Sequence, residues 1–250
     1  MSIQSSWTEA VGHTQNIEEA GSVVRDPQSK TARTHGKSFG QIVAQRFVER
    51  LGTNELRRRM VHMSMGLIPF ITWNCPKSDM LSLPWRIVIL TAPIVLAIAV
   101  HLRERSILRA GEKSCMVSVY GFMLTVPPMF FLFPASPELG LTVLSIIALG
   151  DGFATLMGML FRGPTLPWNS QKTWVGTLSF LAFGIPLSAL SYWGEARPVV
   201  PFTVALSCAG VATAVAAIAE SLPSRINDNI RVGVAAAAAL VVAHGIFVGW

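Results

Sequence analysis

Beyond residue 60 the chain carries only 19 charged residues in 190, and they are set between long apolar runs. The first 60 residues hold the other 15 of its 34 charges, 9 basic and 6 acidic. A helix needs roughly 20 apolar residues to cross the hydrocarbon core, and only helices or closed barrels satisfy their own backbone there. The runs therefore imply an all-α, polytopic membrane protein. Charged residues make up 14% of the whole, against about a quarter in soluble domains, which excludes a soluble globular enzyme. The net charge of +6 belongs to flanks and tail and not to a basic face, so no nucleic-acid partner is expected.

Seven candidate spans can be drawn, at 60–74, 85–102, 116–133, 139–161, 174–193, 200–219 and 233–250. The first is short and contains Pro69; the third contains Pro127 and Pro128, which predicts a kink or break. Ahead of them Phe39, Ile42, Val43 and Phe47 recur at helical spacing, predicting an amphipathic helix in the membrane interface over 38–56. Residues 1–37 read as a polar, disordered tail lacking a secretory signal pattern, and 57–250 as a transmembrane catalytic domain. Cys75, Cys115 and Cys208 are too scattered for a zinc motif or a disulfide framework.

Basic residues orient the spans. With a cytoplasmic amino terminus, Arg57, Arg58, Arg59, Arg103, Arg105, Arg109, Lys113, Arg162, Lys172, Arg225 and Arg231 flank the spans on the inner side. Only Lys77, Arg86 and Arg197 fall outside.

Four polar clusters interrupt the apolar pattern, and in this topology all four face the cytoplasm. In RRRMVHMSMG, Arg58, Arg59, His62 and Gly66 follow helical spacing, placing guanidiniums and an imidazole beside a gap for close backbone approach. Guanidinium forks match phosphate oxygens. In GDGFATLMG, Asp151 is an ionisable group inside an apolar run, and such groups are costly and functional by default. Its face carries the small residues Ala154, Thr155 and Gly158, and Gly150 and Gly152 beside it allow a departure from regular helix. The segment FRGPTLPWNSQKTWVGT supplies Lys172, Thr173, Gly176 and Thr177 in a loop, without the spacing of a P-loop. Between the last two spans, Glu220, Asp228 and Asn229 offer hard oxygen ligands suited to Mg²⁺. Carboxylates for a metal and cations for phosphates, on one leaflet of a membrane body, are the equipment for phosphoryl or nucleotidyl chemistry on a lipid.

The four clusters resemble the motifs of the integral-membrane, CTP-dependent lipid kinases, the family of phytol, farnesol, dolichol and CTP-using diacylglycerol kinases. The family's R-K-x-x-H-x-x-x-G is met by Arg58, Arg59, His62 and Gly66, with arginine at the second place. GD-x-x-A-x-x-x-G is met by Gly150, Asp151, Ala154 and Gly158, and K-[ST]-x-x-G-[ST] by Lys172, Thr173, Gly176 and Thr177. Glu220–Ser221 followed by Asp228–Asn229 has the form of the phytol kinase branch. The resemblance runs in order over about residues 57–233. It implies transfer of the γ-phosphate of CTP to an isoprenoid alcohol, with Mg²⁺ as cofactor and membrane lipids around the protein. Catalytic roles are expected for Asp151, Lys172 and His62. Nucleotide and phosphate contacts are expected from Arg58, Arg59, Lys172, Thr173, Gly158, Gly176 and Asn229, and metal contacts from Asp151, Glu220 and Asp228. A cytidylyltransferase making a CDP-lipid, a diacylglycerol kinase and an ion-coupled transporter using Asp151 are the alternatives.

Overall fold

The computed structural model describes Val48, Glu49, residues 51–73, six helical positions between 87 and 102, and residues 116–250. The 1–37 tail, most of the 38–56 interfacial helix and most of the 85–102 span lie outside the described residues. Helix α1 covers Thr53–Met65 and starts at Gly52, whose φ of 76° breaks it from the helical residues before it. After a turn at Gly66 and Leu67, α2 runs Ile68–Thr72, with Pro69 in its first turn, where a missing N–H costs nothing. The expected 60–74 span is thus two short helices.

Helix α3, Met116–Leu132, contains Pro127 and Pro128 yet runs as one helix throughout. Of the expected kink or break, a break is absent: the helix continues through both prolines. It packs between the elements that follow and the last helix, and such tertiary support re-satisfies a proline-interrupted helix.

Among the described residues four helices are long and apolar enough to cross a membrane: α4 (Pro137–Phe161), α5 (Trp174–Glu195), α6 (Phe202–Ser221) and α7 (Asp228–Phe247). They alternate in direction, and α6 packs against both α5 and α7. Ala205, Ala209, Ala212 and Ala216, fully buried at helical spacing, form the thin face that lets α6 approach its neighbours. The opposite face carries Val211 and Ile218 exposed. A helix apolar all round suits lipid.

Within α4 the turn Ile146–Asp151 is π-helical and all six residues are buried. Single π turns of this kind cluster at functional sites. Between α4 and α5 the chain folds into a hairpin, β1 (Thr165–Leu166) antiparallel to β2 (Asn169–Thr173). This is the one local departure from all-α architecture among the described residues; Pro164 and Pro167 forbid continuation of the helix there. Helix α7 begins five residues earlier than the sequence pattern predicts, because Asn227 caps it by accepting from the Asn229 backbone N–H. Glu220 and Asp228 are consequently on helix ends and not in a loop.

Candidate functional site

The antiparallel order brings the carboxyl ends of α4 and α6, the amino ends of α5 and α7, and the hairpin to one end of the bundle. Three of the four sequence clusters meet here. Lys172, near the end of β2, directs its ammonium to a carboxylate oxygen of Glu220 at the last turn of α6 and to Asp228 Oδ2, 2.8 Å away on the first turn of α7. Asp228 Oδ1 accepts from Arg231 Nη2 at 2.7 Å, and Arg231 also donates to the carbonyls of Glu220 and Leu222. Arg231 therefore ties the end of α6 to the start of α7. Asn169 Nδ2 donates to the Ser221 carbonyl at 3.0 Å and fixes the hairpin to the same helix end.

Thr173 closes the hairpin and caps α5, its hydroxyl accepting from the Gly176 N–H at 3.1 Å. The K-[ST]-x-x-G spacing is thus a helix start. A Cβ on Gly176 would lie 3.0 Å from the Ala154 carbonyl oxygen, and one on Gly158 would lie 3.0 Å from Thr173 Oγ1. Glycine at both places lets α5 start directly against α4. Thr177 Oγ1, in the first turn, is buried with no hydrogen-bond partner among the described residues. A helix amino terminus beside a lysine is an anion site in form.

The first cluster enters from α1. Arg59 Nη1 lies 4.0 Å, and His62 Nε2 3.6 Å, from Asp151 Oδ2 at the end of the π turn. His62 Nε2 also sits 3.1 Å from the Ile147 carbonyl, which can only accept, so this nitrogen carries the proton. The ring meets Phe122 edge-on at 5.2 Å. Gly66 rests on the same turn, where a Cβ would fall 2.4 Å from Leu149 Cγ. The motif's arginine, histidine and glycine all dock on the π turn that carries Asp151. Glu55, one helical turn before Arg59, accepts from its Nε at 2.9 Å and aims it; the sequence reading missed Glu55, although the i, i+4 spacing was a signal.

Asp151 is 5% exposed and Glu220 3% exposed. The two halves of the site are electrostatically joined, because the Asp151 charge acts on both Lys172 and Glu220. Burial works against the charge on Lys172, but the carboxylates of Glu220, Asp151 and Asp228 outweigh it and hold its pKa above the ordinary lysine value. Arg58 is half-buried, and its charge acts on His62. Asn229 is buried against Gly121 of α3, where a glycine Cβ would lie 2.5 Å from Asn229 Cβ.

The expected metal ligands fall into two places: Glu220 and Asp228 on Lys172, and Asp151 with Arg59 and His62. Among the described residues no group of three or more His, Cys, Asp or Glu side chains is arranged to hold a metal. Glu220 and Asp228 do bracket a cation, the Lys172 ammonium, and Glu220 Oε2 is buried without a hydrogen-bond partner among the described residues. Two hard oxygen donors with one oxygen to spare suit Mg²⁺, which takes one or two carboxylates and completes its shell with phosphate and water.

Known proteins give the site its context. Phytol kinase 1, chloroplastic, of Arabidopsis thaliana is 26% identical over 208 residues, 76% of this chain and 67% of the relative. Probable phytol kinase 1, chloroplastic, of Oryza sativa subsp. japonica is 23% identical over 223 residues, 84% of this chain and 69% of the relative. The chain is similar to phytol and farnesol kinases. Farnesol kinase, chloroplastic, of Arabidopsis thaliana is 22% identical over 198 residues, 74% of this chain and 64% of the relative. These prenol kinases are the branch that the four motifs resemble. No family model matches the chain, and no solved structure matches it.

Proposed function

We propose that the chain is a multi-pass membrane kinase that transfers the γ-phosphate of CTP to the hydroxyl of an isoprenoid alcohol such as phytol, farnesol or geranylgeraniol. The observation that carries this reading is the meeting of Lys172, Glu220, Asp228 and the Thr173-capped start of α5 at one end of an apolar bundle. The names of the prenol kinase relatives support the choice of acceptor and reaction. The dependence on CTP rests on the motif resemblance.

The residues divide the work by charge. Lys172, with Arg58 and Arg59, offsets the negative charge of the triphosphate, and the N–H groups opening α5 point at its oxygens. Glu220 and Asp228, with Asp151 as a further oxygen donor, would hold Mg²⁺; when bound it neutralises phosphate charge. Phosphoryl transfer asks mainly for such positioning and charge compensation. The alcohol oxygen forms a bond to the γ-phosphorus as the bond to the β–γ bridging oxygen breaks, leaving CDP. The hydroxyl proton passes to solvent or to Asp151, whose orientation Arg59 and His62 fix. The acceptor's tail stays in the bilayer between helices, and its hydroxyl reaches the site at the cytoplasmic surface.

The test is a membrane assay with γ-labelled CTP, Mg²⁺ and a panel of prenols. A labelled prenyl monophosphate together with CDP is expected, and Asp151→Asn should abolish it. A CDP-lipid with released pyrophosphate, or full activity in Asp151→Asn, overturns the reading.

A further inference from the structure

The hairpin beside the lysine carries a side chain that the proposed reaction does not use. Trp168 forms, with Pro167, its two-residue turn, and is 49% exposed. A turn facing water favours Gly, Asn, Asp or Ser, and a large apolar ring at its tip implies something that covers it. The ring meets that of Trp174, the first residue of α5, edge-on at 5.7 Å. Trp174 is 40% exposed, and Phe161, the last residue of α4, is exposed at the same end.

A second observation identifies the cover. The exposed residues of α5 are Trp174, Leu178, Ala182, Phe183, Pro186 and Trp193, all apolar. Trp174, Leu178, Ala182 and Pro186 recur every four residues, and Trp193 stands two turns further along the same face. A tryptophan therefore closes each end of one outward stripe. The two are 19 residues apart, about 28 Å at 1.5 Å per residue, against about 30 Å for the hydrocarbon core of a bilayer. Like Trp174, Trp193 meets an aromatic ring of a neighbouring segment edge-on, Phe202 of α6 at 6.0 Å. The nearest charges along the chain are Lys172 before the first tryptophan and Glu195 after the second. Glu195 is buried, as is Glu138 in the first turn of α4 at that far end. On the hairpin side of Trp174 the exposed residues include the polar Arg162, Thr165, Ser170 and Gln171.

We propose that Trp168 and Trp174 are an interfacial anchor that seats the hairpin among the lipid headgroups of the bilayer. Tryptophan suits that depth because its ring is apolar while its N–H takes a polar partner. The exposed Arg162 beside the pair complements the phosphates of the headgroups. With the hydrocarbon boundary at Trp174, Lys172 falls two residues outside it, at the level where the hydroxyl of an alcohol with its tail in the bilayer resides. Trp168 is thus a positioning residue, which acts by holding the lysine hairpin at the depth of a lipid acceptor. The anchor rests on the membrane reading of the helices, and only its service to the acceptor rests on the proposed reaction.

The experiment puts a nitroxide spin label on Ser170→Cys of the hairpin, in a Cys75→Ser/Cys115→Ser background, with the full-length protein in phosphatidylcholine vesicles. Cys208 is buried, which leaves the hairpin thiol to react. Collisions of the label with oxygen, which partitions into the bilayer, and with a water-soluble nickel chelate give its depth, calibrated against lipids labelled at the headgroup and at mid-chain. The label should match the headgroup lipid. Trp168→Ala should lose that match and move to the chelate-exposed values of water, whereas Trp168→Tyr, which keeps an amphipathic ring, should retain it. A label exposed to the chelate as in water while Trp168 is present overturns the proposal, and so does one shielded from both reagents, which would place the hairpin under protein. An unchanged depth in Trp168→Ala overturns it as well. No turnover is measured, so its failure is separate from failure of the proposed function.

Discussion

Lys172 is the side chain on which the proposed active end would depend twice, for charge and for fold. It neutralises Glu220, whose side chain is 4% exposed, while its other partner Asp228 is 40% exposed. Removing one member of a buried pair leaves the other uncompensated, which costs about 3 kcal/mol. Lys172→Met should therefore lower the unfolding temperature and also cut kcat/KM by about 10²–10³, the value of one preorganised charge contact. The double variant Lys172→Met/Glu220→Gln should recover the stability and stay inactive; recovery of activity as well would show that the lysine serves the fold alone. The pH dependence has a definite sign. Because the folded-state pKa of Lys172 is raised above 10.5, its stabilisation is fully present below the unfolded value and is lost as pH climbs through the folded one. The stability gap between wild type and Lys172→Met should hence stay flat between about pH 6 and 9 and close only in strong alkali. Denaturation midpoints across that range check it.

At the scale of elements, the contact between α4 and α5 decides how accurately the lysine, the Thr173 cap and the π turn are set against one another. Gly176→Ala would press a methyl against the Ala154 carbonyl oxygen at 3.0 Å, and backbone cannot swing aside. A cost of about 1–3 kcal/mol is expected, with a raised KM for CTP. Gly210→Ala is the control: its Cβ meets nothing nearer than 4.0 Å, inside helix α6, so it should be neutral or stabilise by up to about 1 kcal/mol. Melting curves and CTP titrations of the two variants separate close packing from helix propensity. The same elements show what a sequence carries and what it withholds. Hydropathy was enough for α4 to α7, because a lipid-facing helix must be apolar along its length. The flanking glycines of Asp151 announced an irregular backbone, and the π turn is that irregularity. By contrast, the capping by Asn227 is a local hydrogen bond that hydropathy cannot register, and it moved Asp228 from loop to helix. The unbroken course of α3 through two prolines is likewise supplied by neighbours far away in sequence.

For the molecule as a whole, the four site motifs were legible because each lies within a few residues, whereas the pairing of Lys172 with Glu220 and Asp228 spans 48 and 56 residues and exists only once the helices are packed. Glu138 and Glu195 escaped notice for a related reason. Each stands at the edge of an apolar run, where a charge is unremarkable, and only the packing of α4 against α5 buries them. The alternating helices place these acids and Lys172 at opposite ends of a bundle about 30 Å long, and that separation predicts a labelling pattern. Cys208 is buried, so a background with Cys75→Ser and Cys115→Ser leaves little reactive thiol. Gln171→Cys, exposed on the hairpin, and Val199→Cys, 70% exposed beyond the end of α5, should then react with a membrane-impermeant maleimide from opposite sides of sealed vesicles, Gln171→Cys from the cytoplasmic side. Labelling of both from one side would mean that α5 does not cross the bilayer. The lysine end and the other end of α5 would then share one aqueous face, and the proposed placing of the prenol between helices would fail with it.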